Sequence, residues 1–417
     1  MLSTEEIIQI AESLLSERFG GQQEITETEQ LSGSGTATVL RARVAPSPFL
    51  QQRSIILKCI PETGERLDDA ALVREVVSYQ FTTSLPEEVR PGPMLLAHDI
   101  TRRILVITDS GDGDTFADLL TTTSGETRIQ ILRNLGQALG RMHAGTADRE
   151  EDFDILMARM LRTHPETSDV NRLRDRALVF SIQVGLELLR DADFEIPQVV
   201  LNLAKEAERR LLTGHHRAFT PFDLSPDNII VAERTHFLDY EWAGFRDVSF
   251  DIASVVAGFP QFLFSRPITD DEADVFIDAW VREVSTRWPN TKIEEELNLR
   301  VTAALIGWLL ESISLMRFGS LTNTVFALRD SGLAPELTEG IRVPESAPEL
   351  KEGEGLGDIL RRASEGPFTQ DELLVRQDLY ETAEALSRFA ERSKDTQLEI
   401  VAKFASEIAE RVAVREA

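Results

Sequence analysis

A single lysine, Lys58, stands inside the apolar run 54–60, SIILKCI. Such a run, bounded by polar loops, reads as a buried strand. An ammonium group cannot lie unpaired in that setting, because an isolated buried charge loses its hydration without compensation. The strand must therefore turn Lys58 into a polar cleft or put it at a sheet edge. A partner is available seventeen residues later, where Glu75 falls in the helically patterned stretch 67–85.

The surrounding pattern gives that strand a sheet. Residues 3–18 read as an amphipathic helix with Ile7, Ile10, Ala11 and Leu14 on one face, a Ser3/Glu6 capping box, and a stop at Gly20-Gly21. Residues 36–44 alternate, with Thr36, Thr38, Leu40, Ala42 and Val44 on one parity, and 94–98 with 103–108 read as a further strand pair. Between the first strands lies LSGSGTAT (31–38), whose Gly33, Ser34 and Gly35 form a turn that lets backbone amides approach a phosphate closely. A plain hairpin turn has the same composition.

After Asp109 the pattern becomes helical. Residues 127–143 present Ile129, Leu132, Leu135 and Leu139 on one face, and 173–212 are helical with a break at Pro197. Two short β-like runs around a polar loop interrupt the helices over 219–240, and helices resume over 249–318. The stretch 341–357, rich in Pro, Gly and Glu, reads as a linker. Residues 370–417 then read as a helical pair with stripes Leu379, Ala383, Leu386, Phe389 and Val401, Phe404, Ile408.

The interrupting segment carries the chemistry. FDLSPDNIIV (222–231) sets Asp223 five residues before Asn228 and runs into an apolar stretch; Phe237-Leu238-Asp239 ends a second one. Phosphoryl transfer needs a group that orients the acceptor hydroxyl and takes its proton, and hard oxygen ligands for a magnesium ion bridging the phosphates. Asp223 suits the first task, and Asn228 and Asp239 the second. An Asx turn would show the same Asp–Asn spacing. Joined to the glycine turn and to Lys58 with Glu75, the order matches a nucleotide-dependent kinase.

On these residues the chain resembles the aminoglycoside phosphotransferase and choline kinase-like family, small-molecule relatives of the protein kinases, over roughly residues 1–318. The most specific parts are 221–228 and LDYEWAGFRDVSFDIA (238–253). The resemblance implies an α+β, two-lobed protein-kinase-like fold: a small antiparallel-sheet lobe (1–108) for the nucleotide, a mainly helical catalytic and acceptor lobe (109–318), and a helical extension (319–417). It implies ATP or GTP as donor, Mg2+, Asp223 as catalytic base, Asn228 and Asp239 as metal ligands, and Lys58 paired with Glu75. Gly33 and Gly35 would belong to the nucleotide loop, Thr108 and Asp109 to the hinge that meets the nucleobase, and Asp251 would brace the catalytic loop. Two departures stand out: Pro221 replaces the family's histidine two residues before the base, and Asp227 replaces its glycine before the asparagine.

Protein substrates are disfavoured. Tyr240-Glu241 follow Asp239, and Asp251 comes only twelve positions after it, which leaves no room for a long activation loop. No G-x-S-x-G elbow points to a serine hydrolase. A net charge of -27 repels phosphate backbones, so nucleic acid and anionic membranes are poor partners, whereas a cationic small acceptor is compatible. The lone cysteine, Cys59, and an N-terminus without a basic start before an apolar run fit a cytoplasmic setting.

Some features stay open at this level. Glu241 could touch the metal or acceptor or stand behind them; Trp242 and Phe245 could wall a pocket or pack the core. His143 reads as a helix-end charge or a packed side chain, and His215-His216 has no ligand cluster around it. The tail could form homo-oligomers, lid the acceptor site or cover the large lobe. A catalytically weak scaffold built on the kinase fold is the competing reading.

Overall fold

The computed structural model describes residues 2–31, 37–64, 66–262, 266–319, 323–324 and 358–413. The glycine turn with Gly33, Ser34 and Gly35, and the linker at 341–357, lie outside the described residues.

The small lobe opens with α1 (Thr4–Phe19), capped at Ser3 by a reciprocal Ser3/Glu6 box and ended by Gly20 at φ 81°. Five strands follow, β1 (Ile25–Leu31), β2 (Thr38–Val44), β3 (Ser54–Cys59), β4 (Leu95–Asp99) and β5 (Ile104–Thr108), with α2 (Arg66–Thr83) joining β3 to β4. They form one antiparallel sheet in the order β1-β2-β3-β5-β4. Leu40, Ala42, Val44, Ile55, Leu57, Cys59 and Val106 line the face covered by α1, against Ile7, Ala11 and Leu15. Burying side chains of that size contributes about 1.5–3 kcal/mol each. β3 is therefore buried on alternate residues, not throughout. The opposite parity carries Ser54, Ile56 and Lys58 away from α1, which is how a lysine lives in an apolar strand.

The large lobe comprises β6 (Asp114–Thr115), α3 (Phe116–Thr122), α4 (Gly125–Thr146), α5 (Glu150–Thr163), α6 (Ser168–Asp191), α7 (Gln198–Leu212), β7 (Arg217–Thr220), β8 (Ile229–Val231), β9 (Thr235–Phe237), β10 (Gly244–Asp247), α8 (Ser249–Val256), α9 (Asp270–Val284) and α10 (Glu294–Phe318). The core stripe of α4 runs through Ile131, Leu132, Leu135 and Leu139; Ile129, expected there, is only half-buried. The break between α6 and α7 falls where Pro197 predicts it. α10 is long and apolar enough to cross a membrane by length and composition, but 83% of its apolar window is buried inside the protein. It is the central beam of the lobe, packed by α6, α7 and α8.

The tail forms a hairpin of α11 (Gln370–Glu391) and α12 (Thr396–Val412). Both expected stripes are buried within the chain, against each other and against α10 and α7. They cover the large lobe.

Candidate active site

The β8–β9 hairpin builds the floor of the cleft. Ile229 pairs with Phe237, and the Leu238 amide donates to the Asn228 carbonyl at 2.8 Å. This register sets Asn228 and Asp239 beside one another at the open end of the hairpin. The Phe237 amide donates to Pro91 O at 2.8 Å, tying the hairpin to the segment before β4. Gly92 makes that approach feasible: a Cβ there would stand 2.3 Å from the Phe237 carbonyl oxygen.

Lys58 reaches down from β3 to this floor. Its Nζ lies 2.7 Å from Glu75 Oε1 and 2.9 Å from Asp239 Oδ1. Burial alone would lower the ammonium's pKa, but Glu75 and Asp239 overcome it and hold the group above its ordinary value. Burial raises the Glu75 carboxyl, with Lys58 pulling the other way and Asp239 adding to the rise.

Asp223 sits on a constrained loop. Phe222 has φ 66°, and the Asp223 amide donates to Pro221 O at 2.8 Å, closing a three-residue turn. A left-handed phenylalanine costs on the order of 1–3 kcal/mol and persists only where its surroundings fix it. Here they do: the ring stacks on Trp308 at 5.1 Å and lies under the Arg246 guanidinium at 4.7 Å. Below, Asp251 Oδ2 lies 3.1 Å from His143 Nε2, while Trp280 Nε1 donates to His143 Nδ1 at 3.0 Å. Because Nδ1 accepts, the imidazole proton sits on Nε2 and is donated to Asp251. The other Asp251 oxygen has no full hydrogen bond and is turned toward the Phe222 amide. His143 is thus an internal brace, neither a helix-end charge nor simple packing, and it supports the loop from beneath where Pro221 cannot.

The Asp223 carboxylate accepts from the Ser225 amide at 3.0 Å. Burial raises its pKa to about 6, against that hydrogen bond and with help from Asp239 and Glu241. Glu241 is itself raised by burial and then by Asp239. Lys58 is the cation that Glu75 and Asp239 share, and Arg174 together with Lys58 opposes the rise at Glu241. The donor set fits magnesium: hard oxygens from Asn228 and Asp239, with an excess of negative charge around them. Among the described residues no group of three or more His, Cys, Asp or Glu is placed to hold a metal ion. Asp227 sits in the single turn Pro226–Asn228, and its carboxyl is raised by burial and by Asp118.

At the rim, Thr108 is engaged twice by Met94, through its amide at 2.9 Å and its hydroxyl at 2.9 Å. The Asp109 carboxylate accepts from Ser54 at 2.6 Å, from the Gly111 amide at 3.0 Å and from Arg41 Nη2 at 3.4 Å. On the other side, Arg74, next to Glu75 on α2, and Arg246 clamp Asp175 of α6 at 2.8 and 3.0 Å. Burial and these guanidinium groups act in opposite directions on the Asp175 carboxyl, and its pKa ends below the ordinary value. The clamp locks α2 to the large lobe.

Beside Asp223 opens a cavity of about 270 Å³ lined by Phe222, Trp242, Gln261, Trp308 and Glu311, among others. Glu311 projects from α10 among apolar side chains; burial raises its pKa to about 8, with Arg246 opposing. Trp242 therefore walls the pocket, while Phe245 belongs to the core. The sequence reading missed Glu311, Trp308 and Asp175. Only Glu311 had a local signal, a carboxylate inside the most apolar helix of the chain.

Solved structures with similar shape include a choline kinase from Cryptosporidium parvum Iowa II (13% identity, TM-score 0.43, covering 81% of this chain and 98% of that one). The gentamicin complex of APH(2'')-IIa is similar too (13% identity, TM-score 0.44, 81% and 95%), as is the choline kinase LicA from Streptococcus pneumoniae (15% identity, TM-score 0.40, 79% and 98%). A comparison with curated proteins returned no match. Residues 85–290, which hold Asp223, Asn228, Asp239 and Asp251, match the model described as the phosphotransferase enzyme family, and this match supports a phosphotransferase.

Proposed function

We propose that this protein transfers the γ-phosphoryl group of ATP or GTP to a hydroxyl of a small, amine-bearing molecule. The observation that carries the reading is the position of Asp223. It lines the same pocket as the buried carboxyl of Glu311, and Asp239 beside it is held by the Lys58–Glu75 pair. In the reaction the acceptor oxygen bonds to the γ-phosphorus, the bond to the β-phosphate oxygen breaks, and the nucleoside diphosphate leaves. Asp223 orients the hydroxyl and receives its proton, and Lys58 steadies the phosphates. Magnesium, held by Asn228 and Asp239, would neutralise phosphate charge. Glu311 with Trp242 and Trp308 offers an ammonium group aromatic faces and a carboxyl that ionises on pairing with the incoming cation.

Residues 1–108 would serve the nucleotide and 109–318 the catalysis and acceptor, in a cytoplasmic setting consistent with the single buried thiol of Cys59. The intact Lys58–Glu75 pair weighs against a scaffold without turnover. The test is a screen of amino alcohols, aminoglycosides and sugars for acceptor-dependent ADP or GDP release, with Asp223→Asn as control. Release with an amine-bearing acceptor, absent in the variant, supports the reading; release unaffected by the substitution removes Asp223 from its role.

A further inference from the structure

The wall of the acceptor cavity opposite α10 is the loop 258–262, which follows α8. Three of its residues are left-handed: Gly258 (φ 84°), Phe259 (φ 63°) and Gln261 (φ 73°). Non-glycine residues in that region are strained and need outside support. Phe259, Pro260, Gln261 and Phe262 all line the cavity that contains Asp223. Two contacts hold Gln261. Its side-chain amide reaches Ser312 Oγ at 3.4 Å, next to Glu311 on α10. Its backbone amide donates to both carboxylate oxygens of Asp378, each at 3.1 Å. Asp378 projects from α11, is 8% exposed, and lies on a helix packed along α10.

A carboxylate is not needed to hold α11 in place, since its stripe of Leu379, Ala383, Leu386 and Phe389 is buried without it. Asp378 adjoins the stripe, and its hydrogen bonds among the described residues go to the single backbone amide of the strained loop. α11 also lies outside the segment matched by the family model. The extension therefore brings to the acceptor pocket a support that the matched segment does not contain.

We infer that Asp378 is a positioning residue for the acceptor site: the C-terminal hairpin fixes the 258–262 wall through the Asp378–Gln261 contact. Fixing that wall sets the width of the pocket beside Asp223 and leaves the nucleotide side untouched. Resting on the acceptor reading above, this makes the extension a determinant of acceptor affinity.

The full chain tests this with Asp378→Ala and Asp378→Asn, the second keeping an acceptor oxygen. Hydrogen–deuterium exchange should rise about tenfold at 258–262 in the alanine variant, the loss of the hydrogen bonding between Asp378 and the Gln261 amide. Exchange in β3 and in the β8–β9 hairpin should stay as it was, and the asparagine variant should restore most of the protection. Titration with magnesium-ATP should give the same dissociation constant within about twofold in all three proteins. With the acceptor found by the screen, the alanine variant should raise its KM about fivefold or more at little-changed kcat. Unchanged exchange at 258–262 overturns the inference. So does a chain-wide rise in exchange, which makes Asp378 a residue of general stability. Failure of the unsubstituted protein to bind magnesium-ATP overturns the phosphotransferase reading instead, and the exchange data still decide whether Asp378 holds the loop.

Discussion

Lys58 of the small lobe and Asp239 of the large lobe meet at 2.9 Å. Their contact joins the two halves of the cleft through the groups that would handle phosphate. Substituting Lys58→Met removes the cation that Glu75 and Asp239 share, leaving the buried Glu75 without its ion-pair partner. The expected outcome is a loss of kcat/KM of about 100-fold or more, with weaker nucleotide binding. Steady-state kinetics and calorimetry of the variant check it.

Asp223 must be ionised to accept a proton, and burial places its pKa at about 6. Turnover should therefore fall as pH drops through 6, about tenfold per pH unit well below it. Asp223→Asn should lower kcat by about 10²–10⁴-fold and erase this limb of the profile, with nucleotide affinity little changed. A pH–rate profile of both proteins is the measurement.

Glu311 makes a paired prediction. Its folded pKa of about 8 lies above the ordinary 4.5, so the folded state holds a proton that the unfolded chain releases. Stability then declines as pH rises from about 4.5 through 8, the sign that linkage requires for a raised carboxyl. Glu311→Gln removes this decline. It should be more stable than the parent at pH 8 by about 1–3 kcal/mol and equal to it near pH 4. The same substitution should raise the KM of an amine-bearing acceptor about tenfold, which a merely stabilising change would not do. Denaturant titrations at both pH values and acceptor kinetics check the two arms.

Gly92 is where a side chain would break the lobe junction. A Cβ there would stand 2.3 Å from Phe237 O and 2.7 Å from the Tyr240 hydroxyl. Gly92→Ala should cost about 1–3 kcal/mol, the usual range for overpacking. It should also weaken magnesium-dependent nucleotide binding, because the hairpin that carries Asn228 and Asp239 has to shift. Thermal melting and nucleotide titration of the variant report on both.

Much of this was legible from local pattern. Lys58 in an apolar run announced a strand with one face on a polar cleft. The Ser3/Glu6 box, Pro197 and the Leu379 and Val401 stripes marked elements that formed where their periods placed them. Asp223, Asn228 and Asp239 were visible because one hairpin carries them, so their spacing in sequence reflects their spacing in space. The remainder depends on contacts between distant segments. His143 and Asp251 are 108 residues apart and Arg74 and Asp175 101, and no periodicity encodes such pairings. The Asp378–Gln261 contact, 117 residues apart, is invisible for the same reason. Ile129 shows the limit of the helical pattern itself: its neighbour Ile131 took the core position because α9, not the stripe alone, decides which face of α4 is covered.

The most direct measurement is calorimetric titration of ATP and GTP into the protein with and without magnesium, with Asp239→Asn as control. Binding that needs magnesium and is lost in the variant is the expected result. Absence of binding, or binding indifferent both to magnesium and to Asp239, would contradict a phosphotransferase site built on Lys58, Asn228 and Asp239.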